Sequence, residues 1–260
     1  MIPPLRVVQV TDTHLFGDPH QTLLGCSTGT TLAAVLAEVS LYQPDVLLLT
    51  GDISQDETPA SYEHLLTLLR SLTCPIYWTG GNHDHWEASH QVLTAGGLRP
   101  EKCFIQGGWQ FILLNSAVPG AVGGELLQGE LVYLEQCLQR AAQPTLVALH
   151  HPLFPVGSPW LDDSRLANPE RLWQVLDRHP QVKLVLCGHV HQERQWHRQN
   201  VTYFSTPSTC IQFAPQSPTF ALDRVWPGFR WLELAPDGHF RSGVTRVPCE
   251  VALDLQATGY

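Results

Sequence analysis

Short apolar runs recur along the chain at residues 5–10, 46–50, 75–78, 111–114, 145–149 and 183–187. Runs of this length and composition predict strands buried on both faces. Between several of them, apolar positions spaced three and four apart predict amphipathic helices over residues 31–41, 61–72, 131–140 and 170–178. Alternation of strand and helix implies a layered α/β fold. Beyond residue 201 the helical pattern fades, and runs at 201–205, 229–234 and 242–247 predict further strands that complete a second sheet. No low-complexity linker, internal repeat or long charge run divides the chain, so a single domain spanning 1–260 is expected.

Composition narrows the partners. The 260 residues are 43% hydrophobic, enough for a sizeable core, and carry a formal charge of −9 with only 15 Lys and Arg. That balance excludes a groove for a nucleic-acid polymer, which needs clustered cations. A small anionic substrate would need metal ions to hold it. The 7 cysteines are odd in number and scattered without a C-x-x-C pair, as in reduced thiols of a cytoplasmic protein. Residues 1–10 lack the basic and long apolar regions of a signal peptide, and no stretch approaches roughly 18 uninterrupted apolar residues, so no membrane association is expected.

The chemistry-bearing residues follow the predicted strands: Asp12-Thr13-His14, Gly51-Asp52, Gly81-Asn82-His83-Asp84, His150-His151-Pro152 and Gly188-His189-Val190-His191. In α/β sheets, ligands bind beyond the carboxyl ends of strands, where loops converge. A Gly-Asp pair alone is usually a turn, and a lone D-x-H or H-x-H pair is more often a surface or capped polar pair. Their joint occurrence at successive strand ends has no structural rationale and points to a metal site. Adjacent glycines let the backbone turn so that the next side chain enters it. Oxygen and imidazole donors without thiolate favour iron, manganese, zinc or cobalt in a reactive centre over a structural zinc. The donors exceed what one tetrahedral ion uses, so two ions sharing a bridging carboxylate are expected, and Asp52 can offer one oxygen to each.

These motifs, in this order, resemble the calcineurin-like metallophosphoesterase superfamily. Residues 11–16 (TDTHLF), 51–56 (GDISQD), 81–84 (GNHD), 186–193 (LCGHVHQE) and 206–213 (TPSTCIQF) resemble, within it, bacterial class III phosphodiesterases of 3',5'-cyclic AMP. The likeness runs from about Leu5 to Leu234, including PGFRWLEL at 227–234, and is less distinct in the tail from about residue 248. The resemblance implies a four-layer αββα sandwich, two mixed β-sheets flanked by helices. It implies one metal held by Asp12, His14, Asp52 and His191 and another by Asp52, Asn82, His150 and His189, filled by iron and/or manganese, with zinc or cobalt as alternatives. It leaves His151 as a pocket residue, makes His83 the catalytic histidine acting on the substrate phosphate and gives Asp84 the task of orienting it. His14, Asp52, Asn82, His83 and His191 would line the phosphate site.

The implied reaction is hydrolysis of 3',5'-cyclic AMP to 5'-AMP by a metal-bridging hydroxide, in a monomer or homodimer. Rival readings are a broader phosphodiesterase or phosphomonoesterase acting on 2',3'-cyclic nucleotides or other esters, and a metal-binding scaffold without activity. The pocket rim would separate the first two, with Phe16, Trp86, Trp160, Phe213 and Trp226 as candidate base contacts or packing residues.

Overall fold

In the computed structural model, which describes residues 3–259, every strand that carries a site motif is buried along its whole length or nearly so. Met1, Ile2 and Tyr260, part of the expected 1–260 domain, lie outside the described residues. The first sheet contains β1 (Leu5–Val10), β2 (Val46–Thr50) and β3 (Ile76–Thr79), connected through the helices α1 (Thr28–Tyr42) and α2 (Pro59–Leu69). After β3 come α3 (Trp86–Ala95), β4 (Cys103–Gln106), β5 (Trp109–Leu113), α4 (Gln128–Arg140), β6 (Thr145–Ala148), the short α5 (Pro159–Asp162), α6 (Pro169–Leu176) and β7 (Val182–Cys187). The chain ends with β8 (Arg194–Arg198), β9 (Val201–Ser205), a small ribbon of β10 (Gln212–Phe213) and β11 (Leu222–Asp223), β12 (Gly228–Leu234) and β13 (Phe240–Arg246).

Strand order is β13-β12-β1-β2-β3 in the first sheet and β4-β5-β6-β7-β9-β8 in the second. In the first, β1, β2 and β3 are parallel and β12 and β13 antiparallel. In the second, β5, β6, β7 and β9 are parallel, with antiparallel β4 and β8 at the edges. The parallel strands therefore present their carboxyl ends, and the motifs that follow them, on the same side of each sheet.

The two-residue period of a strand explains the four layers. On β1 and β2, Val8, Val10, Leu47 and Leu49 face the helices α1, α2 and α3. Their neighbours Val7, Val46 and Leu48 face the other sheet, where they meet Phe111, Leu113, Leu146, Leu184 and Leu186. From β5, β6 and β7, Ile112, Val147 and Val185 face outward onto α4 and α6. The αββα sandwich expected from the motifs is the observed fold.

The strands beyond residue 201 do not all join the second sheet, as the run pattern suggested. β9 does, but β12 returns to pair antiparallel with β1, in register from Leu5 opposite Leu234 to Gln9 opposite Arg230, and β13 extends that edge. Leu232 and Leu234 thereby fill the inter-sheet core beside Leu5 and Val7, a placement that periodicity cannot choose between two equally apolar sheets.

Towards the motif-bearing ends, the inter-sheet layer turns polar. The buried Gln9 donates through Nε2 to Thr50 Oγ1 at 2.8 Å and to the Cys187 carbonyl at 3.0 Å, so it ties the two sheets together. Thr206 donates to Gln9 Oε1 at 2.6 Å, and Arg230, only 2% exposed, donates to Thr206 Oγ1 and the Ser205 carbonyl. This clasp fixes the two sets of loops relative to each other.

The inter-sheet layer carries the stability of this arrangement. Phe111 is fully buried there and stacks on Phe104 at 4.8 Å. Phe111→Ala is expected to lower unfolding free energy in urea by about 3–5 kcal/mol. Leu41→Ala, at a position 77% exposed, is expected to change it by no more than about 0.5 kcal/mol.

Candidate active site

Three of the five motifs leave their strands by a backbone conformation that L-residues rarely adopt. Asp12, His14, Asp52, His189 and His191 all have left-handed φ, between 46° and 68°. Such residues cost about 1–3 kcal/mol each and persist where the surroundings over-determine them, commonly at functional sites. Gly51 also sits at φ 94°, and a Cβ there would collide with His150 Nδ1. Gly188 has no positive φ; it is small because a Cβ would strike Thr11 and sit 2.6 Å from Asp12 Oδ2. Close approach as much as turning explains the motif glycines.

The hydrogen bonds around the imidazoles fix where their lone pairs point. His150 Nδ1 donates to the Thr50 carbonyl at 2.9 Å, His191 Nδ1 to the Ile211 carbonyl at 2.9 Å, and His14 Nδ1 to Gln55 Oε1 at 2.7 Å. Carbonyl oxygens only accept, so each ring keeps a proton on Nδ1 and turns Nε2 toward the cluster. His14 Nε2 lies 3.2 Å from His191 Nε2, which is 3.4 Å from Asp12 Oδ1. His150 Nε2 lies 3.1 Å from Asp52 Oδ2. Donor atoms packed this closely around two buried carboxylates attract positive charge, which a proton on His150 or bound cations would supply.

Asp12, His14 and His191 converge as one group of potential ligands; Asp12, Asp52 and His150 form a second, and His14, Asp52 and His83 a third. Asn82 Oδ1 is buried without a hydrogen-bond partner, as a metal-seeking carbonyl oxygen would be. Asp52 Oδ2 stands 3.1 Å from His150 Nε2 and 3.8 Å from His14 Nε2, between the two expected ligand sets. Asp52 Oδ1 accepts the His83 amide at 2.9 Å. Asp52 is thus placed between the two expected ligand sets. The donor set fits two divalent ions.

His189 and His151 join His150 in a further group, but their nitrogens are spoken for differently. His189 Nε2 bonds Ser164 Oγ at 2.9 Å, leaving Nδ1 as its ligand atom, and its backbone amide donates to Asp12 Oδ1 at 3.0 Å. Both ring nitrogens of His151 are engaged, Nδ1 with Ser116 Oγ at 2.9 Å and Nε2 with the Val122 carbonyl at 3.1 Å. His151 thus packs beside the cluster with no nitrogen to spare.

His83 stands edge-on to His14 with ring centroids 5.0 Å apart, and together with Asn82 and His189 it lines a cavity of about 620 Å³. The Asp84 carboxylate accepts from the backbone amides of Gly81, Ile53 and Ser54 and from the Tyr62 hydroxyl. It ties the Asp52 loop to the Asn82–His83 loop. Gln55, Ser164 and Ser116 escaped sequence reasoning. Gln55 lies within a motif segment, but nothing in the chain marks a serine as a partner of a distant histidine. Of the aromatic candidates, Trp160 and Phe213 line the cavity. Trp86 packs on Trp78, Phe16 is buried in a hydrophobic cluster, and Trp226 is half exposed elsewhere.

The side chains alone attract positive charge. Burial would lower His150, but the Asp52 and Asp12 carboxylates outweigh it and raise its pKa to about 9. Burial pushes His14 and His151 down to about 3 and His189 well below its usual value. Burial and the repulsion of Asp52 lift Asp84 to about 6. Asp12 and Asp52, although buried, are held below the usual range by their histidine neighbours. The signs oppose each other around the ordinary histidine value. A raised His150 contributes stability that is lost as pH rises from 6.5 through about 9, whereas the depressed His14 and His151 remove stability as pH falls from 6.5 toward about 3. Chelator-treated protein is therefore expected to show a melting temperature that peaks near pH 6.5 and falls on both sides, and a flat profile across this window would contradict the assignment.

Comparison with known proteins agrees with this geometry. The model of the calcineurin-like phosphoesterase family matches residues 5–193. A 3',5'-cyclic-nucleotide phosphodiesterase of Nostoc sp. is 45% identical over 258 residues, covering 98% of this chain and 97% of the relative. The 3',5'-cyclic adenosine monophosphate phosphodiesterase CpdA of Escherichia coli is 41% identical over 247 residues, covering 94% and 90%. Among solved structures, a dimetal phosphatase from Danio rerio shares the fold with a TM-score of 0.66 at 13% identity, covering 96% of this chain and 98% of its own. The fold, the convergent ligand groups and these matches establish that the chain belongs to the calcineurin-like phosphoesterase family.

Proposed function

We propose that this chain hydrolyses 3',5'-cyclic AMP to 5'-AMP at a two-metal centre. One observation carries the reading: imidazole nitrogens and two carboxylates converge beside a cavity large enough for a nucleotide. They do so in a chain that matches 3',5'-cyclic-nucleotide phosphodiesterases along nearly its whole length. Asp12, His14, Asp52 and His191 would hold one ion, and Asp52, Asn82, His150 and His189 the other, with Asp52 serving both. Iron and/or manganese suits these donors, as would zinc or cobalt. When bound, the ions supply the charge that acidifies an attacking water and neutralises the phosphoryl oxygens.

The chain's own residues do the rest. Gln55 and the Thr50 and Ile211 carbonyls hold the protons of His14, His150 and His191 on Nδ1, so Nε2 of each faces the centre. Ser164 turns His189 by its Nε2. His83, at the cavity edge, hydrogen-bonds the phosphate and gives a proton to the departing ribose 3'-oxygen as the phosphorus–oxygen bond breaks. Asp84 sets the loop that presents it. The substrate is a small molecule, and no helix among the described residues is long and apolar enough to cross a membrane. Cysteines that are all unpaired suit the cytoplasm.

Removal of the ions by chelation is expected to abolish turnover, and adding manganese or iron back to restore it; full activity in protein shown by elemental analysis to be metal-free would contradict the proposal. Asp52→Ala is expected to cost more activity, and more bound metal, than Asp12→Ala or His191→Ala, because it takes a ligand from both sites. His83→Ala is expected to keep both ions and lose about 10²-fold or more in turnover of cyclic AMP. Bis(p-nitrophenyl) phosphate, whose leaving group needs no proton, should lose less. Equal losses on both substrates would show that His83 binds phosphate without donating a proton, and loss of one ion would show that it is a ligand.

A further inference from the structure

The cavity beside the expected metal ligands is lined by two chemically different groups, the polar Asn82, His83 and His189 and the aromatic Trp160, Phe213 and Phe220. The three rings meet edge to face, Trp160 to Phe213 at 5.0 Å and 78°, Trp160 to Phe220 at 5.2 Å and 62°, and Phe213 to Phe220 at 5.7 Å and 65°. Phe213 is only 2% exposed and lies flat on the His191 imidazole at 4.1 Å and 13°. It joins the aromatic group directly to an expected metal ligand. Trp160 and Phe220 are half-buried and line the open space.

Charge narrows what the aromatic group can receive. Among the described residues neither lysine nor arginine lines the cavity, and the one acidic side chain there, Asp163, is exposed. A second phosphate would find no cation and one repelling carboxylate. A flat, uncharged ring would find aromatic surface, at a distance from the metal ligands spanned by one cavity of about 620 Å³, the size range of pockets for nucleotide-sized ligands.

We propose that Trp160 and Phe220 form the stacking platform for the nucleobase, with Phe213 as the buried brace that fixes the platform relative to His191. This rests on the cyclic-nucleotide reading and extends it to the base. Two consequences follow from the chemistry of the platform. Stacking accepts any base, since every base has a π-face, so adenine and guanine cyclic nucleotides should differ little in KM. Nucleoside di- and triphosphates should bind poorly, because the cavity offers their extra charges nothing.

The experiment uses metal-loaded enzyme with three probes: cyclic AMP, the base-free methyl riboside 3',5'-cyclic phosphate, and adenosine as an inhibitor without phosphate. Trp160→Ala and Phe220→Ala are expected to raise KM for cyclic AMP about tenfold, the scale of one lost base stack, and to leave kcat within about twofold. KM for the base-free ester should stay unchanged, and competitive inhibition by adenosine should weaken in parallel. Trp160→Phe and Phe220→Tyr, which keep a ring, should restore most of the affinity and guard against misfolding of the alanine variants. Unchanged KM for cyclic AMP in both alanine variants overturns the platform, as does an equal rise for the base-free ester. Failure of the wild-type enzyme to hydrolyse either cyclic phosphate, with bis(p-nitrophenyl) phosphate still cleaved, would instead overturn the cyclic-nucleotide reading itself.

Discussion

The structure is organised around a buried concentration of carboxylates and imidazoles. His14 and His191 meet through their Nε2 atoms at 3.2 Å, and His150 Nε2 stands 3.1 Å from Asp52, all of them closed to solvent. Buried charges are among the most costly features a fold can carry unless opposite charge compensates them. Five expected ligands add left-handed backbone to that cost. The surrounding architecture holds these groups in place: carbonyls that fix each ring, glycines that let loops approach, and the Gln9–Thr206–Arg230 clasp that keeps the sheets in register. Two cations held by these groups would supply the compensating charge.

The two sheets divide this work. Asp12, His14, Asp52 and Asn82 leave the first sheet and His150, His189 and His191 the second, so both carboxylates come from one sheet and most of the imidazoles from the other. The backbone amide of His189 on Asp12 and that of His83 on Asp52 cross-link the loops further. A change in either carboxylate therefore disturbs both its metal contacts and the neighbouring loop. This accounts for the weight placed on Asp52.

Much of the fold was legible because buried parallel strands are written as uninterrupted apolar runs: residues 5–10, 46–50 and 201–205 coincide with β1, β2 and β9. The candidate ligands were legible because they follow such runs. The sheet joined by β12 was not, since Leu232 and Leu234 would satisfy either sheet's inner face and only the pairing with β1 decides. β8 was missed because its burial alternates between half-buried and exposed positions, with Arg, Gln and His in place of an apolar run. The supports of the site were also illegible. Ser164 and Ser116 act through contacts 25 and 35 residues away in sequence, and Asp84 accepts from the backbone amides of the Asp52 loop some 30 residues away.

The central proposal is that Asp52 would serve two ions, one in each ligand set. Anomalous diffraction from crystals grown with manganese tests it most directly. Two peaks about 3.5–4 Å apart are expected, one beside Asp12, His14 and His191, the other beside Asn82, His150 and His189, with Asp52 in contact with both. A single peak, or two peaks of which Asp52 touches only one, would contradict it.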